Sequence, residues 1–383
     1  MMSFRSSNRY FLIGFCLLSI NFLMGQTTLV VQSMPGNTPK VAGIFISGNF
    51  EGWTGGQESY ELKLVQGTYQ ITLPEPTKDF FFKFTRGSWN SVEVDQTGNQ
   101  IDNRVIQKAE SQQTHYFSIE NWNDLKPGKS TAGKNVFVLS ETFDMPELSS
   151  KRKIWIYLPP DYESRTEHYP VLYMHDGQNL FEQKTSYAGE WEVDETLDAL
   201  FKANDFRLIA VGIENGGSER IDEYSPWNLK DYKNEKKGDL YINFIIHHLK
   251  PFIDQNFRTL SNSKDTGIMG SSLGGLISHY AVLKYPGTFG KAAIFSPSFE
   301  LAPESFEFSL DHCEKNRSKL YFMAGGEESK NMVPSMTKIV DQLKNCGYQS
   351  SHIRSKVVAG GEHNEKLWRE EFKEAIYWLY DIK

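Results

Sequence analysis

Over residues 26–122, short apolar runs alternate with glycine, proline and asparagine turns. TTLVVQ, VAGIFISG, YELKLV, TYQITL, FFFKFTRG and THYFSIENW all have strand length, and their even spacing predicts a small all-β sandwich. Residues 123–135, NDLKPGKSTAGKN, carry no apolar period and read as a linker. From about residue 136 the pattern changes. RKIWIYLPP, YPVLYMHDG, FRLIAVGIEN, DTGIMGSS, KAAIFSP, KLYFMAG and IRSKVVAG read as strands. VDETLDALFKAN, a segment near 238–255, LGGLISHYAVLKYP, and segments near 331–345 and 364–380 read as helices. Strands alternating with helices predict an α/β domain over 136–383, with a mostly parallel, doubly wound sheet covered on both faces.

Residues 1–25 are expected to be an address rather than part of the fold. Arg5 and Arg9 precede an apolar run from Phe11 to Leu23 that is shorter than a typical spanning helix, and Gly25 suits cleavage. This reads as a signal peptide and predicts export to the periplasm or the medium. Cys16 lies within the run rather than at its end, which weighs against a lipid anchor. An uncleaved membrane anchor is the other alternative.

The formal net charge of −7 argues against a nucleic-acid partner, and removing the leader takes two arginines and no acid. Aromatic residues make up 14% of the chain, enough for a large core or for platforms under a flat ligand. The three cysteines are too few for a disulfide scaffold. Cys313 and Cys346 survive export and are both expected at the amino end of the sheet, where a structural disulfide is plausible. No H-E-x-x-H, paired C-x-x-C, Asp-rich calcium loop or dinucleotide fingerprint occurs, so no metal and no cofactor is expected.

The chemistry concentrates in GIMGSSLGGLISHY. Gly270-Ser271-Ser272-Leu273-Gly274 is a G-x-S-x-G turn between an apolar strand and a helix. Such a turn is sharp, needs small flanking residues, and lifts the Ser272 hydroxyl above the strand end. The Leu273 N–H is placed to stabilise an oxyanion. A serine needs a base, and elimination among nine histidines favours His363, in the loop after the last strand. The histidine in turn needs an acid, and the chain order Ser, acid, His points to the loop after KLYFMAG. Glu328 is preferred there, with Glu327 as the alternative. Gln178, in MHDGQNLF, is expected to offer a second oxyanion N–H. Asp176 reads mainly as a turn-former, His175 is a candidate to line the cleft, and Trp191 either lines the cleft or packs as a core indole.

The segments IWIYLPPDY, YPVLYMHDGQNLF, VGIENGGSERIDEYSP, GSSLGGLISHYAVLKYP, AGGEES and GEHNEKLWREEF resemble the esterase D-like putative esterases over about residues 140–383. That resemblance implies an α/β-hydrolase fold similar to carbohydrate esterase family 1, with Ser272, His363 and an acid after YFMAGG as the triad. It implies acyl-ester substrates: acetyl or feruloyl groups on polysaccharides, siderophore trilactones, or S-formylglutathione. In the N-terminal half, FISGNFEGWTGG and FFFKFTRGSWNSVEVD resemble the starch- and glycogen-binding early-set sandwich modules. By that resemblance Trp53 and Trp89 would stack on sugar rings.

Three functions are therefore weighed. One is an exported serine esterase acting on acylated carbohydrate, with its N-terminal module contacting polysaccharide. Another is a siderophore trilactone esterase of the same fold. The third, from a different class, is a carbohydrate-binding protein with an inactive hydrolase domain. The sequence gives no oligomeric state.

Overall fold

The computed structural model describes residues 26–39, 42–74, 78–108, 113–125, 130–187, 189–313 and 316–382. The expected leader lies outside the described residues.

The N-terminal half contains β1 (Gln26–Ser33), β2 (Phe45–Gly48), β3 (Lys63–Val65), β4 (Thr68–Pro74), β5 (Phe80–Thr85), β6 (Glu93–Val94), β7 (Arg104–Ile106), β8 (Thr114–Ser118) and β9 (Asn121–Trp122). They form a sheet β3-β4-β1-β8, a sheet β2-β5-β7 and a small pair β6-β9. Leu29, Val31, Ile46, Phe82, Phe84 and Trp122 fill the core of this half. Strand alternation explains why Phe82 and Phe84 point inward. Lys83 lies between them, yet it too is buried.

The described residues of the linker are tied down. Asn123 Nδ2 donates to the Ser186 carbonyl at 2.8 Å, and the Gly133 N–H to Asp194 Oδ2 at 2.7 Å. The Ser130 hydroxyl bonds Glu182. Ser130 and Gly133 are thus anchored to carboxylates of the hydrolase half.

The second half is an eight-stranded sheet in the order β10-β11-β13-β12-β14-β15-β16-β17. Its strands are β10 (Val136–Met145), β11 (Ser150–Tyr157), β12 (Val171–His175), β13 (Ile209–Ile213), β14 (Thr266–Ser271), β15 (Lys291–Phe295), β16 (Lys319–Gly325) and β17 (Ile353–Val358). β10, β11 and β13 pair antiparallel, and every pairing from β13 to β17 is parallel. The helices are α1 (Val193–Asn204), α2 (Arg220–Glu223), α3 (Gly238–Phe244), α4 (Lys250–Asn256), α5 (Leu273–Lys284), α6 (Glu304–Asp311), α7 (Met332–Asn345) and α8 (Glu365–Leu379). A π-turn, Ile245–Leu249, joins α3 to α4, so the helix expected near 238–255 is one element with a bulge.

The strands read as continuous apolar runs because both faces are covered. Val171, Tyr173 and Ile268 enter the core shared with α3, α4, α5 and α7. Leu172, Met174 and Met269 enter the core shared with α1 and α8. Residues 273–283 of α5 are all buried, His279 among them, with Nε2 2.8 Å from Ser309 Oγ. Cys313 and Cys346 follow the ends of α6 and α7 and are joined, with Cα atoms 6.3 Å apart. Both lie toward the amino end of β16, away from the strand ends that carry the site.

Candidate active site

The elbow forms where β14 passes into α5. Ser272 has φ 59° and ψ −122°, a backbone that costs a non-glycine residue about 1–3 kcal/mol. Three bonds hold it there. Its N–H donates to the Phe295 carbonyl at 3.0 Å, and its own carbonyl accepts from Leu276 at 3.0 Å and Ser298 at 3.3 Å. A Cβ on Gly270 would lie 2.8 Å from the Gly274 carbonyl carbon, and one on Gly275 2.6 Å from the Phe295 oxygen. Close backbone approach therefore excludes larger residues around this serine. The Ser272 hydroxyl rests 3.2 Å from Ser298 Oγ.

His363, in the loop after β17, meets Glu328, in the loop after β16. The Nδ1–Oε2 distance is 2.6 Å, and the Glu328 side chain is fully buried. Its other oxygen accepts from the Gly325 N–H at 2.6 Å and the Ser296 hydroxyl at 2.7 Å. Burial pushes this carboxyl up, but His363, Ser296 and the Gly325 amide outweigh it and hold it below the usual carboxylate value. Glu327 is exposed and contributes only a backbone N–H, to the Gly361 carbonyl. Ser272 and His363 line one cleft of about 460 Å³.

Ser296 is itself held by the Trp368 indole N–H at 2.9 Å. The structure thus adds a Trp368–Ser296–Glu328 relay that braces His363. A carboxylate with a lowered folded pKa contributes stability above its unfolded pKa, and loses it as pH falls through the folded value. Ser296→Ala removes one donor and so raises that folded value. Acid unfolding followed by tryptophan fluorescence should begin at a higher pH in Ser296→Ala than in wild type. An unchanged or lower onset would contradict the relay.

Gln178 sits in the turn Gly177–Asn179 after β12 and borders the cleft, as does Leu273 at the first position of α5. The first amides of a helix have no acceptor within it. Asp176 adopts φ 56°. Its carboxylate takes two bonds from Arg220, at 2.7 and 2.8 Å, and one from Asn215 Nδ2 at 2.7 Å. That agrees with a turn-former that also borders the cleft.

Two expected lining residues lie behind the wall. His175 is 2% exposed; its Nδ1 meets the Tyr241 hydroxyl at 2.8 Å, and its ring packs beneath Gly270. Burial lowers its pKa to about 3, so it is a neutral packing imidazole. Trp191 is 3% exposed. Its backbone N–H donates to the Asn179 carbonyl at 2.8 Å, and its indole stacks on Phe295 inside the core.

Trp53 and Trp89 come from the β-module, and both border the same cleft as Ser272. The Trp89 indole N–H donates to the Trp53 carbonyl at 2.8 Å, and its ring meets Tyr187 of the hydrolase half edge-on at 4.8 Å. Asn90, Gln100 and Asn103 bring further polar groups to the cleft. Asn90 lies in the segment that carries the module resemblance, whereas Gln100 and Asn103 lie outside both quoted segments, and the docking of the halves brings all three to the cleft. Ser296 and Ser298 were within reach of sequence reasoning, because Ser296 directly follows β15 and Ser298 lies in the same loop at the carboxyl edge of the sheet.

Fold and site define an α/β-hydrolase with a strained serine elbow and a paired histidine. The model of the putative esterase family matches residues 146–379, and the chain belongs to that family. It is a carboxylic ester hydrolase. It is 27% identical over 245 residues to the uncharacterized protein YbbA of Bacillus subtilis, covering 61% of this chain and 94% of that one. A stretch of 94 residues is 36% identical to an alpha-amylase of Niallia circulans, covering 24% of this chain and 7% of the amylase. Among solved structures, a ferulic acid esterase superposes with a TM-score of 0.51 at 18% identity, over 65% of this chain and 100% of that one. The enterobactin esterase FES of Shigella flexneri gives a TM-score of 0.52 at 15% identity, over 88% of each chain. At those identities the two structures share the fold.

Proposed function

We propose that this is an exported serine esterase that removes acetyl or feruloyl groups from carbohydrate. Ser272 attacks the ester carbonyl while His363 takes its proton, and Glu328 holds the imidazole tautomer. The Leu273 and Gln178 amides stabilise the oxyanion. The alcohol leaves with the proton from His363, and water then releases the acid from the acyl-enzyme. The observation that carries the carbohydrate reading is the shared cleft: Trp53 and Trp89 of the β-module border the space that holds Ser272. Aromatic faces there can cover the apolar face of a pyranose beside the reacting ester. The stretch shared with the amylase has about the length of that module.

Charge weighs against an anionic siderophore. Asp176, Glu214 and Glu365 border the cleft. Among the described residues that line it, the sole lysine or arginine is Arg220, and it is committed to Asp176.

The test is a panel of aryl acetate, methyl ferulate, acetylated xylan and a ferric trilactone. Turnover of xylan or ferulate esters above the trilactone is expected, and preference for the trilactone would reverse the assignment. Trp53→Ala and Trp89→Ala should each raise KM for acetylated xylan by about 5–20-fold, as loss of one stacked ring implies, and leave aryl acetate nearly unaffected. Equal effects on both substrates would rule out the platform.

A further inference from the structure

Glu365 is the first residue of α8 and lies two positions beyond His363. It borders the cleft with Ser272 and His363, yet it is only 6% exposed. Among the described residues no side chain forms a hydrogen bond or ion pair with its carboxyl. Arg220, the nearby cation, spends Nε and Nη2 on Asp176. His363 spends Nδ1 on Glu328.

A first-turn glutamate usually serves the helix dipole, and that role needs no burial. Here burial dominates: it raises the carboxyl to about 7, aided by Asp176 and opposed by its own amide, Arg220 and Lys83. Its own amide is the one protein hydrogen bond acting on this carboxyl. A mostly buried carboxyl that borders the cleft with no side-chain partner keeps acceptor capacity that a ligand hydroxyl can fill.

We propose that Glu365 is a specificity residue that hydrogen-bonds a hydroxyl of the ester substrate beside the scissile bond. This rests on Ser272 being the nucleophile and goes further, since it states what the substrate carries. The hydroxyl is either a phenol on the acyl group or a free hydroxyl on the sugar ring. A site built to bond a hydroxyl discriminates strongly against the analogue lacking it, because its own buried group is then stranded.

The experiment measures kcat/KM of the full chain on two matched pairs. One is methyl 4-hydroxycinnamate against methyl cinnamate. The other is a monoacetylated methyl xyloside against its deoxy analogue lacking the neighbouring hydroxyl. Wild type should favour the hydroxylated member of at least one pair by about 10–100-fold. Glu365→Ala should abolish that preference, whereas Glu365→Gln, which can still accept and donate, should keep part of it. If the alanine variant does not fold, Glu365→Asp, which withdraws the carboxyl by one methylene, should reduce the preference instead. No preference in wild type, or the same preference in the variants, overturns the proposal. Equal loss on both members of a pair also overturns it, since that marks a merely structural role beside His363. If wild type hydrolyses aryl acetate and Ser272→Ala does not, the nucleophile assignment stands whatever Glu365 does. If wild type hydrolyses no ester, both fall.

Discussion

Ser272→Ala lowers kcat for aryl acetate by about 10⁴–10⁶-fold while the protein stays folded. The expected size follows from the chemistry. Without the hydroxyl no acyl-enzyme forms, and what remains is catalysis by bound water through the oxyanion amides. Alanine is also expected to fold there, because the bonds that fix the elbow are made by the backbone of residue 272. Circular dichroism should show a native spectrum, and the burst of aryl alcohol expected of wild type should be absent. Turnover near the wild-type rate would refute the elbow as the source of the nucleophile.

Glu328→Gln is expected to reduce kcat by about 10⁴-fold, with KM little changed. A glutamine amide facing Nδ1 would favour the wrong imidazole tautomer, leaving Nε2 unable to take the serine proton. The paired control is Glu327→Gln, expected within about twofold of wild type because that side chain is exposed and does not meet His363. If Glu327→Gln were the damaging change, the geometry assigned here to Glu328 would be wrong. Both variants should be measured above pH 6, where an ionised Glu328 is expected in wild type given its lowered value.

Much of this was legible in the chain itself. The switch from turn-bounded short strands to a strand–helix alternation near residue 136 reflects local periodicity, and β10 starts at that point. G-x-S-x-G was readable because Gly270 and Gly274 meet across a turn that spans only a few residues. Glu328 was harder, since two adjacent glutamates in one loop differ only in which turns inward. Side-chain direction there is set by Gly325, Ser296 and His363, from three separate strand ends. His175 ends a strand, as lining residues do, but Tyr241 draws its ring inward. Trp191 could equally line the cleft or pack in the core, and Phe295 takes its indole into the core.

The sequence by itself determined the two folds, the elbow and the histidine, because these follow from local period, turn chemistry and strand order. The tertiary structure alone decided what shares the cleft. It set Trp53 and Trp89 over the hydrolase strand ends, committed Arg220 to Asp176, and left the Glu365 carboxyl at the cleft without a side-chain partner among the described residues. Those outcomes depend on contacts between residues far apart in the chain, such as Arg220 with Asp176 and Trp89 with Tyr187, and no local pattern carries such information.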